Sequence, residues 1–253
     1  MEINKVEVEQ RFRRSKGSYD ANAQVQKIVV ERMIPMVLSA VECIPEKILE
    51  IGCGTGLLTA QLRRTFSSDR LFLNDLVEEL CHYAATYNFV PLSHCLPGDV
   101  EKMYLPLSFD LMVSASTFQW FTDPKETFKK LACRLTKKGV LVFSTFGKFN
   151  LREIRLTTGG GLNYRSKEEL VKLLEPYFDV ELVQEECHMI EFDSPLEVLQ
   201  HLKKTGVNVS GNQTIWTKGR VDAFSKDYNA RFAIDGKVAL TYHPLYFVCR
   251  KNK

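Results

Sequence analysis

No apolar run in this chain approaches the roughly 20 residues that a membrane-spanning helix requires. The first residues are charged and polar, with no apolar leader, so the expected location is the cytoplasm. The seven cysteines form no Cys-x-x-Cys, and their spacing against the five histidines matches no metal site. The expectation is free thiols in a reducing compartment and no bound metal. An excess of one charge is also missing. Against 31 Asp and Glu stand 34 Lys and Arg, a formal net charge of +3 that gives no case for nucleic acid. Internal repeats and low-complexity tracts are absent. What is present is ordinary for a globular chain: 253 residues, 45% of them hydrophobic, enough for one large core.

The most informative stretch runs from Lys47 to Thr59. An apolar run ends in Glu50, then come Gly52-Cys53-Gly54-Thr55-Gly56 and an amphipathic helix to about Arg64. This reads as strand, tight turn and helix start, with glycines that permit positive φ and close approach of a ligand. The dinucleotide fingerprint needs Gly-x-Gly-x-x-Gly, and here the third glycine falls one residue early. The pattern resembles motif I of class I S-adenosylmethionine-dependent methyltransferases. That resemblance implies a glycine turn (Gly52, Gly54, Gly56) under the methionine part of the cofactor, and Glu50 reaching its amino end.

Three further signals follow in order. Arg70 to Leu76 is a second apolar run, and its Asp75 lies 25 residues after Glu50. In a doubly wound sheet that spacing puts Asp75 at the end of the neighbouring strand, where a carboxylate accepts ribose hydroxyls. Pro97 to Glu101 places Asp99 on a loop after a third strand; in the family the equivalent acid accepts the adenine amino group. Ser108 to Ser114 reads as a fourth, buried strand, with Asp110 fixing its entrance. Leu76, Val100 and Ser114 complete the expected cofactor wall. The segment Ser114 to Phe121 leaves the fourth strand at the edge where an open α/β sheet has its ligand crevice.

The rest of the chain reads as a charged helix over 1–16, then, after the Ser18 to Gln26 stretch, a helix with apolar positions from Val25 that runs to about Val41 and is interrupted by Pro35. Past the crevice come a helix from Asp123-Pro124 to Leu135 and a fifth strand, Val140 to Phe146. A helix from Ser166 carries Glu169 in capping-box register, and Asp179 to Phe192 reads as one strand. Helices over Ser194 to Thr205 and Lys218 to Arg231 follow, separated by a loop over 206–211. Lys237 to Arg250 is a long last strand broken at Pro244. The expected architecture is α/β and Rossmann-like, a seven-stranded mostly parallel sheet in one domain over 1–253. It carries an N-terminal helical cap over 1–45 and an inserted helical lid over 193–235.

The acceptor is narrowed by further absences. There is no Asn/Asp-Pro-Pro-Tyr/Phe motif, no Pro-Cys nucleophile and no His/Asp pair for metal-dependent catechol chemistry. Ser18-Tyr19-x-x-Asn22-x-x-x-Gln26, with Gln119-Trp120 downstream, resembles plant carboxyl methyltransferases, in which an amide and an indole N–H hold the substrate carboxylate. Both donors are neutral. A carboxylic acid of pKa about 4 is already ionised at pH 7 and needs no general base. End to end, the chain resembles the BioC family, the malonyl-acyl-carrier-protein O-methyltransferases of biotin synthesis. The matching residues include Arg11-Phe12, Ile48 to Thr59, Gly98 to Glu101, Gln119-Trp120, Phe143-Ser144-Thr145, Leu202 to Asn208 and Leu240 to His243. Leu80 and the stretches Gly159 to Gly161 and Gly211 to Gln213 depart from it.

The resemblance implies methyl transfer from S-adenosyl-L-methionine, with S-adenosyl-L-homocysteine as product. It implies the malonyl form of acyl carrier protein as partner, a monomer, and no membrane. Gln26, Trp120 and Tyr19 become the candidate catalytic residues, and Gln119, Asn22 and Ser144 candidate substrate contacts. Arg13, Arg14, Lys203 and Lys204 are candidates for docking an acidic carrier. Three alternatives stay open: a carboxyl methyltransferase of a small free acid, of the trans-aconitate type; a carbon methyltransferase of quinone synthesis, which needs a positioned base and an isoprenoid groove; and a non-catalytic module that binds the cofactor.

Overall fold

The computed structural model describes residues 3–207 and 216–252. The expected family residue Asn208, the loop beyond it and Gly211 to Gln213 lie outside the described residues.

Helix α1 (Lys5–Ser15) starts at Asn4, whose side chain accepts from the Val6 and Glu7 amides, and carries Arg13 and Arg14 in its last turn. A short α2 (Tyr19–Asn22) precedes α3 (Gln24–Ala40). The expected helix to about Val41 is α3, and it is separated from α2 at Ala23, whose φ/ψ of −84°/50° is not helical. Helix α3 runs through Pro35 without ending, buried along Val25, Val29, Met33 and Val37.

Strand β1 (Ile48–Ile51), α4 (Leu57–Leu62), β2 (Leu71–Asn74) and α5 (Glu78–Tyr87) follow as two strand–helix units. Next come β3 (Phe109–Ser114), α6 (Pro124–Arg134) and β4 (Leu135–Phe146). Beyond β4 lie α7 (Arg152–Thr158), which the sequence pattern did not suggest, and α8 (Lys167–Leu174) with the expected Ser166–Glu169 capping box. The chain ends with β5 (Phe178–Glu185), β6 (His188–Phe192), α9 (Pro195–Lys204), α10 (Lys218–Phe232), β7 (Ala233–Ile234), β8 (Lys237–Tyr242) and β9 (Pro244–Lys251).

The main sheet has the order β2-β1-β3-β4-β9-β5, and β9 alone runs against its neighbours. It is mostly parallel, as expected, but among the described residues it has six strands rather than seven. The strand expected before Pro97 contracts to one bridge, Leu73 to Cys95, held by the Leu96 N–H on the Leu73 carbonyl at 2.7 Å. Pro91 and Pro97 flank it, and neither has an N–H to give a ladder. The expected strand over Asp179 to Phe192 also divides, at Glu186-Cys187. Its second half joins β8 and β7 in a separate antiparallel sheet of order β6-β8-β7. The last strand breaks before Pro244, as expected, and the two pieces serve different sheets.

Both faces of the main sheet are covered, which is why its strands read as apolar runs rather than alternations. On one face Ile48, Leu111, Val113 and Val142 pack with α3 and α4. On the other, Leu49, Met112, Leu141 and Phe143 pack with Phe128 and Leu131 of α6. Phe143 stacks between Phe118 and Phe247 at centroid distances of 4.5 and 4.8 Å. This stack anchors the segment after β3, which carries site residues. No helix among the described residues is long and apolar enough to cross a membrane.

Candidate active site

The cleft opens at the C-terminal ends of β1, β2 and β3, where βα turns leave backbone amides and carbonyls without sheet partners. About 850 Å³ of space lies there, lined by Gly52, Gly54, Asp75, Leu76, Asp99, Val100, Ser116 and Trp120, and roofed by Phe12 of α1 and Tyr19 of α2. A smaller recess of about 360 Å³ adjoins it, lined by Gln26, Glu50, Cys53 and Leu58. Tyr19, Gly52, Gly54, Thr55, Ala115 and Ser116 line both. The two hollows are therefore neighbours across one wall.

The glycine turn needs its glycines for separate reasons. A Cβ on Gly52 (φ +70°) would overlap the Thr117 side chain, its Cγ2 at 2.6 Å. A Cβ on Gly54 (φ +54°) would meet no protein atom within 4 Å; that space belongs to the hollow. Gly56 (φ +92°) lines neither hollow and instead packs against Ala84 and Asn88. Positive φ is disfavoured for any other residue type at all three.

Asp75 is 8% exposed and accepts the Gly54 amide on Oδ2 and the Val77 amide on Oδ1, each at 2.8 Å. It ties the glycine turn to the end of β2, and each oxygen keeps a second lone pair. Burial raises its carboxyl to about 6. Asp99 accepts the Glu101 amide and Lys5 Nζ on Oδ1, at 3.0 and 2.5 Å, and Oδ2 has no partner among the described residues. Lys5 also pairs with Glu101, so α1 is clamped over the cleft by one ammonium between two carboxylates. A second latch joins α2 to the turn: Thr55 Oγ1 donates to Asp20 Oδ1 at 2.6 Å. Neither latch was foreseen from sequence.

Glu50 is 1% exposed and accepts from Thr59 Oγ1 at 2.7 Å. Burial raises its carboxyl to about 8, because little besides Thr59 offsets the lost hydration. Gln26 lies in the same recess, 8% exposed. Burial likewise pushes the Tyr19 phenol well above its ordinary value, so it stays a neutral hydroxyl.

Trp120 packs edge-on against Phe12, centroids 5.8 Å apart at 88°, and its indole Nε1 is buried with no hydrogen-bond partner. Such a donor is rare, because leaving it unpaired costs about 1–3 kcal/mol. Among the described residues the only other buried, unpartnered side-chain polar atoms are Ser116 Oγ and Asn252 Oδ1.

Four of the residues expected at the site have their polar groups engaged elsewhere. Ser114 Oγ donates to the Ile51 carbonyl at 2.7 Å, tying β3 to β1. Asn22 Nδ2 donates to the Ser18 carbonyl at 2.6 Å. Gln119 donates to the Ser116 carbonyl at 2.5 Å and accepts from Thr145, and Ser144 Oγ accepts the Ser116 amide at 3.0 Å. None of the four lines either hollow. The sequence marked these positions as near the crevice, but it carries no signal for the direction of a side chain.

The residues present suit S-adenosylmethionine. A buried acid stands at the β2 end and a partly buried one on the following loop, a glycine turn leaves open space at Gly54, and a third acid sits under the turn. Such a donor set offers a partner for ribose hydroxyls, an exocyclic amine and an α-ammonium.

Comparison with known proteins agrees with this geometry. A family model described as a methyltransferase domain matches residues 49–143. Malonyl-[acyl-carrier protein] O-methyltransferases of Bacteroides thetaiotaomicron and Bacteroides helcogenes are 36% and 39% identical, over 99% of this chain and 100% of each relative. The one from Bacteroides fragilis is 38% identical over 98% of this chain, which spans about half of that relative (51%). Among solved structures, the YcgJ protein of a Bacillus species superposes with a TM-score of 0.62 at 16% identity, covering 87% of this chain and 97% of the other. The N-methyltransferase NodS of Bradyrhizobium japonicum, in complex with S-adenosyl-L-homocysteine, gives 0.53 at 16% identity, covering 88% and 86%. These structures share the class I methyltransferase fold. From its full-length relatives, the chain belongs to the malonyl-[acyl-carrier protein] O-methyltransferase family.

Proposed function

We propose that this protein transfers the methyl group of S-adenosylmethionine to the free carboxylate of a malonyl group held as a thioester on acyl carrier protein, leaving S-adenosylhomocysteine. The observation that carries the reading is the buried indole N–H of Trp120, unpartnered at the wall of the cofactor cleft. It is a donor awaiting an acceptor. The names of the relatives support malonyl-carrier protein as that acceptor.

The cofactor supplies an electrophilic methyl on a sulfonium. Asp75 would accept its ribose hydroxyls and Asp99 its adenine amine, Leu76 and Val100 would flank the adenine, and Glu50 would face the α-ammonium end. On the acceptor side, Trp120, Tyr19 and Gln26 are neutral donors to a carboxylate that is ionised at pH 7 without help. Neutral donors suit the reaction. Opposite charges cancel as the methyl moves, so a cationic clamp would hold the ground state more tightly than the transition state. Holding one oxygen in line with the methyl supplies the rate. The product ester lacks the charge whose burial in an apolar channel is costly, which fits a role in preparing the chain for elongation.

The carrier docks, in this reading, at the edge where the last turns of α1 and α9 meet. Ser18 Oγ donates to the Lys204 carbonyl at 3.1 Å, and Gly206 lies against Phe12 and Ser15. Arg13, Arg14, Lys203 and Lys204 are all exposed there, and Lys16 lines the cleft mouth. Arg13 pairs with Glu9 and Glu79, while Arg14, Lys203 and Lys204 make no ion pair among the described residues. An acidic carrier complements this edge. Residues 1–45 act as a cap and 193–235 as a lid on the acceptor side, in a cytoplasmic monomer.

The test uses purified protein with S-adenosylmethionine and malonyl-carrier protein, malonyl-coenzyme A or free malonate, read by intact mass. The expected result is one added methyl on the malonyl-carrier protein and none on the acetyl form. Methylation of a free acid alone moves the function to a small-acid enzyme. Cofactor binding without any transfer leaves only a binding module.

A further inference from the structure

Ser116 combines two unusual features. It has φ of +54°, a left-handed conformation that a serine adopts at a cost, and its hydroxyl is buried with no partner. Neither feature is an accident of a loose loop. The Ser116 amide donates to Ser144 Oγ at 3.0 Å and to the Ser144 carbonyl at 3.2 Å, and its carbonyl accepts from Gln119 Nε2 at 2.5 Å. Gln119 is itself held by Thr145 Oγ1 at 3.2 Å. Ser144 and Thr145 are buried in β4, beside the stacked rings of Phe118, Phe143 and Phe247. Three hydrogen bonds from a rigid strand and a neighbouring amide therefore fix the backbone of one residue in a disfavoured geometry. A fold holds such strain where the surroundings over-determine it, and such sites cluster where ligands are gripped.

The place of this residue gives the strain a use. Ser116 lines both the cleft that contains Trp120 and the recess that contains Gln26. It stands four residues before Trp120 on one segment, and these two residues carry two of the three buried, unpartnered side-chain polar atoms among those described. A carboxylate has two oxygens and about four lone-pair sites, and burying it demands more than one donor. A hydroxyl matches the neutral character of the other donors.

We propose that the Ser116 hydroxyl is an acceptor-binding group, donating a hydrogen bond to the substrate carboxylate between Trp120 and Gln26. Gln119 and Ser144 are positioning residues for it. This assigns a role to the two polar side chains that the sequence suggested as substrate contacts and that the fold turns onto the Ser116 backbone. The inference rests on the carboxylate reading given above.

The test compares Ser116→Gly with Ser116→Ala. Glycine takes the positive φ freely and lacks the hydroxyl, so it separates the hydroxyl from the backbone geometry. The expected result is a fall of about tenfold or more in kcat/KM for malonyl-carrier protein in both variants, the loss of one hydrogen bond to a charged group. The Kd for S-adenosylhomocysteine should stay within about twofold, and Ser116→Gly should melt no lower than the parent protein. Wild-type turnover in Ser116→Gly overturns the proposal. So does weakened S-adenosylhomocysteine binding with the acceptor kinetics unchanged, which would make the hydroxyl a cofactor contact. Absence of transfer by the parent protein to malonyl-carrier protein overturns the carboxylate reading and this inference together; transfer by the parent with an indifferent Ser116→Gly overturns this inference alone.

Discussion

Replacing Trp120 with phenylalanine should lower activity without a matching loss of stability. In the free protein the indole Nε1 is buried and unpaired, a state that costs about 1–3 kcal/mol. Phenylalanine removes that donor and keeps an aromatic ring against Phe12, whose centroid lies 5.8 Å away. Against the relief stands lost packing, a cost of about 1 kcal/mol for a smaller ring in a half-filled site. The two contributions nearly cancel, so the melting temperature should move by only about 2–4 °C in either direction. The effect on turnover has no such compensation. A hydrogen bond to a charged group is worth about 1.5–3 kcal/mol, a fall of roughly 10- to 150-fold in kcat/KM for the malonyl thioester. The assay is steady-state methyl transfer beside thermal unfolding of the same preparations. Activity within a factor of two of the parent would show that the indole N–H meets no acceptor. A loss of activity that tracks a large fall in melting temperature would reduce Trp120 to a packing residue.

Three more outcomes are expected. With its carboxyl raised from 4.5 to about 8 by burial, Glu50 contributes stability that is fully present below pH 4.5 and is lost as pH rises through 8. A cofactor ammonium reverses that preference, so S-adenosylhomocysteine should bind more tightly as pH rises from about 6 to 7.5, releasing a proton; calorimetry in two buffers measures it, and Glu50→Gln should flatten the slope. Lys5→Met removes the ammonium that joins α1 to Asp99 and Glu101; its side chain is 17% exposed, so a screened effect on the order of 1 kcal/mol should appear as a roughly fivefold faster cofactor release in stopped-flow measurements. Gly54→Ala puts a methyl into the open space at φ +54°; affinity for S-adenosylhomocysteine should fall tenfold or more by titration, beyond the strain of about 1–2 kcal/mol seen in unfolding.

What the sequence made legible was local. The strand–turn–helix around Gly52, Gly54 and Gly56 follows from neighbouring residues and Asp75 from strand spacing, whereas Asp99 is placed by the family resemblance, the strand before it contracting to one bridge. The helix start at Asp123-Pro124 and the Ser166–Glu169 box are likewise contained within four residues. What stayed hidden depends on distant pairing. Lys5 meets Asp99 across 94 positions, and no periodicity in α1 announces it. The division of the last strands into two sheets is set by which chains pair with β8 and β9, so an apolar run read alone appears as one long strand. Ser116 is illegible for another reason. Positive φ is suggested by a glycine or asparagine, and here a serine adopts it because Gln119 and Ser144 hold its peptide groups. The same two residues show the limit of placing side chains by position: each belongs to the crevice segment or to the strand beside it, and each spends a polar atom on the Ser116 backbone.

The central claim is that the acceptor atom is a carboxylate oxygen. The most direct measurement starts from S-adenosylmethionine carrying a deuterated methyl and malonyl-carrier protein, followed by tandem mass spectrometry of the ejected pantetheine arm and brief treatment with mild base. The account predicts label on the malonyl carboxyl, lost as deuterated methanol when the ester is cleaved. Label that survives base, on carbon or on a carrier side chain, would contradict it.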